Sequence, residues 1–147
     1  MSNHPVFSKS RLAVLASSVA IASLAVGHGV AMAAQSTVML SGAQEVPAVT
    51  TPAKGEGTIS VNADKTVSGS VTTSGVPGTM AHIHEAAAGK NGPIIIPLEK
   101  KGDNQWVVPA NAKLTDAQYK AYTAGDLYVN VHSDAHKAGE IRAQIKP

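Results

Sequence analysis

The stretch AHIHE, Ala81 to Glu85, sets His82 and His84 one residue apart in an otherwise aliphatic, strand-like run. Successive side chains on a strand point to opposite sides, so Met80, His82 and His84 share one side while Ala81 and Ile83 share the other. The apolar side belongs to a core. Imidazole is the commonest metal ligand and suits copper or zinc, and an i, i+2 pair can aim two rings at one ion. The competing reading is a polar outer face that simply contains histidine. The pair alone does not choose between them.

The same alternation in two C-terminal runs adds candidates. LYVNVH puts Leu127, Val129 and Val131 inward and Tyr128, Asn130 and His132 outward, while GEIRAQI puts Ile141, Ala143 and Ile145 inward and Glu140, Arg142 and Gln144 outward. The loop SDAHKAG, Ser133 to Gly139, is short enough to join these strands as a hairpin, which brings His132 near Glu140. If the His82 strand lies beside that hairpin, His82, His84 and His132 converge on one outer patch. A three-imidazole set leaves an open coordination position on the metal.

Four more side chains surround that patch. The Met80 thioether flanks it and would favour Cu(I), although methionine also fills gaps in cores. His136 lies in the hairpin loop, either solvated or a further donor. Glu140 is placed to orient a ligand imidazole or to pair with a surface cation. Arg142 is close enough to act on a small anion beside an open metal position. Other chemistry is thin, since no serine sits in a nucleophile elbow and GEG and GKNG lack phosphate-loop spacing.

The elements that must hold these residues are short β-branched runs punctuated by Gly, Pro, Asn and Asp, the pattern of an antiparallel sandwich or barrel. Strands are expected at Thr37–Leu40, Gly57–Asn62, Thr66–Thr73, Met80–His84, Ile94–Leu98, Gln105–Val108, Leu127–His132 and Glu140–Ile145, with a hairpin turn at Asn62–Lys65. One segment departs from this pattern. In LTDAQYKAYTAG, Leu114 to Gly125, Thr115 and Gln118 form a capping box, Leu114 and Tyr119 a hydrophobic staple, and Gly125 a left-handed C′ residue. A short crossover helix is expected there, covering one end of the sandwich.

Residues 1–33 read as an export signal: Lys9 and Arg11 are basic, Leu12–Val26 is apolar, and Ala31-Met32-Ala33 offers a cleavage site after Ala33. Setting them aside removes two of the twelve basic residues and none of the ten acidic ones, so the remainder, 34–147, is formally neutral. With no basic stripe and few aromatics, nucleic acid is not an expected partner, nor is a membrane once the signal is removed. The chain has no cysteine, so an exported form would hold together by core packing alone. Its length fits one domain.

LSGAQEVP (Leu40–Pro47), AHIHEAAAGKNGPI (Ala81–Ile94), LTDAQ (Leu114–Gln118) and GDLYVNVHSDAHKAGEIRAQI (Gly125–Ile145) together resemble the chordin-type CHRD domain over nearly all of residues 34–147. The resemblance implies an exported domain with a structural description rather than a stated activity. HIHE also resembles the copper-ligand strand of the Cu,Zn superoxide dismutases, which are Greek-key β proteins. Their later copper histidine and near-C-terminal arginine have candidate counterparts in His132 and Arg142. The departures are a missing cysteine pair, no evident zinc subsite and a short loop in place of a long electrostatic one.

The expectation is therefore an all-β antiparallel Greek-key sandwich or barrel, immunoglobulin-like or dismutase-like. It would be periplasmic or secreted and carry a surface site for copper, or zinc, made by His82, His84 and His132. Its role would be metal binding or handling, alone or with an envelope or extracellular protein, and nothing requires catalysis. A metal-free module that docks a protein or glycan, and a dismutase-type redox enzyme, are the alternatives.

Overall fold

The computed structural model describes Met1 and residues 34–147, so the expected leader falls outside the described residues apart from Met1. Nine strands and one α-helix follow in chain order. They are β1 (Ala34–Ser41), β2 (Lys54–Val61), β3 (Val67–Ser74), β4 (Gly78–Glu85), β5 (Ile94–Pro97), β6 (Glu99–Lys101), β7 (Gln105–Val107), α1 (Asp116–Ala124), β8 (Leu127–Ser133) and β9 (Ile141–Ile145). All pairings are antiparallel, in the order β5-β4-β8-β9-β1-β2-β3-β7-β6. The fold is the expected all-β antiparallel sandwich or barrel.

The two ends of that order are neighbours in the chain. Only Leu98 separates β5 from β6, so one extended run pairs with β4 through its first half and with β7 through its second. Leu98 sits at the join, its N–H donating to the Ala81 carbonyl at 2.9 Å. The sheet thus nearly closes on itself, which leaves little edge free for pairing with other chains. Strand β6 was not expected from the sequence. Its residues, Glu-Lys-Lys, are all exposed and show no apolar alternation, so only the pairing with β7 makes them a strand.

The inward residues behave as the alternation requires. Val38, Leu40, Ile59, Val71, Ile83 and Val129 are buried in a single cluster, each worth roughly 1.5–3 kcal/mol relative to exposure. Trp106 lies against Gly78, where an added Cβ would come within 2.9 Å of the indole ring. The Asn62–Lys65 turn forms as expected, with Lys65 at φ 71° and the Asn62 side chain donating to the Thr66 hydroxyl at 2.8 Å.

Helix α1 has the expected ends. The Thr115 hydroxyl accepts from the Gln118 N–H, the Gln118 side chain accepts from the Thr115 N–H at 2.8 Å, and Gly125 is left-handed at φ 79°. A helix of nine residues is too short to persist alone in water. Tyr122, buried beneath it, ties it to the barrel. Among the described residues no helix is long and apolar enough to cross a membrane.

Candidate metal centre

Strand β4 pairs with β8, and β8 with β9, so the expected hairpin and the His82 strand are neighbours. The register makes a small grid of outward side chains. His82, Asn130 and Arg142 form one row, and His84, Tyr128 and Gln144 the next. Met80 faces His132 in a third row, with Glu140 just ahead of β9. Asn130 occupies the middle.

This face is not a surface, and here the sequence expectation is corrected. His82, His84, His132, Asn130, Tyr128 and Arg142 are all buried, and every residue of β8 is buried on both sides. Two segments roof the grid: the one after β1, from Gly42 to Ala53, and the β4–β5 connection, Ala86–Pro93. Arg142 donates to Asn91 Oδ1 at 3.3 Å and to the Ala87 carbonyl at 3.4 Å. Gln144 donates to the Ala86 carbonyl at 2.8 Å, and Asn91 donates to the Val46 carbonyl at 2.7 Å. The strand alternation fixes the direction of a side chain but says nothing of what loops later lie across it.

One ring nitrogen from each of His82, His84 and His132 lies within 4.8 Å of the others. The ring partners define the tautomers. His132 Nδ1 lies 2.9 Å from the Lys137 carbonyl, which can only accept, so Nδ1 carries the proton and Nε2 a lone pair. His84 Nδ1 is likewise 2.9 Å from the Gly92 carbonyl, which leaves a lone pair on Nε2. That His84 Nε2 is buried and has no hydrogen-bond partner. His82 Nδ1 is 3.0 Å from His132 Nε2 and donates to it. Backbone carbonyls that fix the tautomer and orientation of imidazoles are the usual outer support of metal-binding histidines.

The electrostatics favour neutral rings. Burial, followed by the neighbouring His132 and His84, pulls His82 down to about 4, well below the usual histidine value. Burial also lowers His84 and His132, in each case opposed by the hydrogen bond to a backbone carbonyl. Three neutral imidazoles with two aimed lone pairs, one of them unpartnered, fit a borderline cation that accepts nitrogen donors. The 4.8 Å spread compares with ~3–4 Å between nitrogens that share one ion.

The surrounding residues divide. Met80 faces His132 across the strand pair but is half exposed, at the rim of the grid. His136 is half-buried in the hairpin loop and is not among the three clustered rings. Glu140 does not reach an imidazole: its carboxylate accepts from Ser133 at 2.5 Å and from Thr51 at 2.8 Å, and the Lys137 carbonyl takes the place beside His132. Arg142 lies 3.4 Å above the Tyr128 ring, which in turn stacks on His84 at 4.7 Å, and three of its contacts hold neutral oxygens. It pins the roof.

Two residues acquire a place that the sequence did not give them. Tyr128 packs the His84 ring and its hydroxyl accepts from the Gly92 N–H at 3.3 Å. Glu45, from the LSGAQEVP segment, is buried against the grid, and burial raises its carboxyl to about 7, with Arg142 pulling the other way. Its segment has no strand or helix period, so no pattern could direct that side chain inward.

The CHRD domain family model matches residues 36–145, a span that contains every residue of the grid. No curated protein and no solved structure gives a significant match.

Proposed function

The chain belongs to the CHRD domain family, and from that premise we propose that it binds one transition-metal ion, copper before zinc, through His82, His84 and His132. The observation that carries this reading is the buried cluster of three imidazoles, two of them held by backbone carbonyls in the tautomer that leaves Nε2 a lone pair. Among divalent ions an all-imidazole set of this kind binds copper more tightly than zinc. The role is metal binding or handling by an exported protein, periplasmic or secreted. An envelope or extracellular protein would be the exchange partner.

The test is direct. Protein comprising residues 34–147 should take up about one copper per chain and gain thermal stability on doing so, since a ligand of the folded state shifts the unfolding equilibrium. His82→Ala combined with His132→Ala should abolish both effects. Uptake unchanged in that double variant eliminates the trio.

A metal-free interaction module is the second reading, and one observation supports it: the His82–His132 hydrogen bond already satisfies two of the three rings. It predicts a flat melting temperature with Cu(I), Cu(II) and Zn(II). The dismutase-type reading has less support, because the Arg142 donors are engaged with Asn91, Ala87 and Gln144.

A further inference from the structure

Among the described residues four buried side-chain atoms lack a hydrogen-bond partner, and three of them, Glu45 Oε1, Asn130 Oδ1 and His84 Nε2, belong to neighbouring residues of one cluster. Asn130 lies beside both of the others: its Nδ2 and Glu45 Oε1 crowd the same point over Gly139, and on the β4–β8 pair it is the diagonal neighbour of His84. All three atoms are acceptors, and a buried acceptor left without a donor costs roughly 1–3 kcal/mol. Two changes satisfy them together. Half a turn of the Asn130 amide exchanges its oxygen and nitrogen, which differ little in size, so that Nδ2 donates to His84 Nε2. One proton on Glu45 then supplies the donor for Asn130 Oδ1.

We infer that Glu45 and Asn130 are positioning residues for the metal centre, a relay that holds His84 Nε2 when no metal is bound and expels one proton when a cation takes it. This rests on the metal-binding reading above. Once a cation occupies Nε2, the Asn130 amide loses its acceptor and turns its N–H to Glu45, which then accepts as a carboxylate. The nearby positive charge favours the same ionised form. The proton leaves from Glu45 to water, through the cleft of about 280 Å³ that Glu45 shares with Val49, His136 and Lys137.

Other observations agree. Glu45 ionises about where such a switch must operate, its carboxyl raised to about 7 by burial. The charged and titratable groups around it are Arg142 on β9, His84 on β4 reached through Asn130, and His136 and Lys137 on the hairpin loop. Gly139, at φ 133°, makes room for the contact. A Cβ there would sit 2.4 Å from Glu45 Oε1 and 2.7 Å from Asn130 Nδ2.

The experiment compares wild type with Glu45→Gln, which keeps size and a donor but cannot release a proton. Calorimetry of Zn(II) binding at pH 6.5 in two buffers of different ionisation enthalpy should give about one proton released per metal for wild type and nearly none for Glu45→Gln. Affinity should rise about tenfold per pH unit below 7 in wild type and stay flat in the variant. Equal proton release in both proteins overturns the relay. A second readout needs no metal: ¹⁵N NMR of the metal-free protein should show His84 Nε2 as a hydrogen-bonded acceptor, shifting toward the free-acceptor value in Asn130→Ala. An unchanged His84 signal there also overturns it, whereas failure to bind any metal, with the NMR result as expected, removes the metal-binding reading alone.

Discussion

The outward faces of β1–β2–β3 and of β4–β8–β9 are written with the same alternation, yet they end in opposite environments. On the first, Thr37, Met39, Glu56, Ser68 and Thr72 stand exposed, flanked by half-buried Thr58 and Ser70. On the second, the equivalent positions hold His82, Asn130, Arg142 and Tyr128, all buried beneath Gly42–Ala53 and Ala86–Pro93. The lesson is that outward from a barrel core and exposed to water are separate properties. Hydroxyls on an open face are satisfied by solvent, whereas a roofed polar face must satisfy itself or bind something, because buried polar groups without partners are costly. Three of the four orphaned atoms lie under the roof, and none lies on the open face.

The contrast is broken most strongly at Arg142. Arg142→Ala removes three hydrogen bonds and the Tyr128 contact, leaving roof oxygens without donors, and should lower the unfolding free energy by about 3–4 kcal/mol in urea titrations. Amide exchange across residues 86–93 should accelerate in the same variant. If exchange there stays at the wild-type rate, the arginine does not pin the roof.

Acid should separate the faces next. A neutral imidazole with a lowered folded value contributes stability that is full above about 6.5 and is lost as the pH falls through the folded value, about 4 for His82. His84 and His132 act in the same direction. Glu45 acts in the opposite one: its raised carboxyl contributes stability below 4.5 that is lost as the pH rises toward about 7. Three rings oppose one carboxyl, so metal-free protein should be less stable at pH 4 than at pH 7. Glu45→Gln should lose more over that range, and a smaller loss there would contradict the assignment of signs.

The smallest effect belongs to the open face. Thr72→Ala should change stability by no more than about 0.5 kcal/mol at either pH and leave metal uptake untouched. A larger loss would mean that the hydroxyl face is structured by something besides water.

Much of this was legible before the fold was known. The Thr115 and Gln118 caps and Gly125 specify helix α1 because capping is local chemistry within a few residues. Which side of β4, β8 and β9 each residue occupies was also readable, since the pleat alternates strictly. Strand β6 was not, because three charged residues become a strand only through a partner. Nor was Glu45, whose inward turn depends on a segment without period.

By itself the sequence determined that His82, His84 and His132 point away from the apolar core, that the chain forms short antiparallel strands, and where its helix begins and ends. These are properties of nearest neighbours along the backbone. The tertiary structure alone decided that β4 lies beside β8, that two loops bury the polar grid, and that the Gly92 and Lys137 carbonyls aim two imidazole lone pairs. Those features join residues brought together by packing, and alternation along a strand carries no information about distance across the sheet.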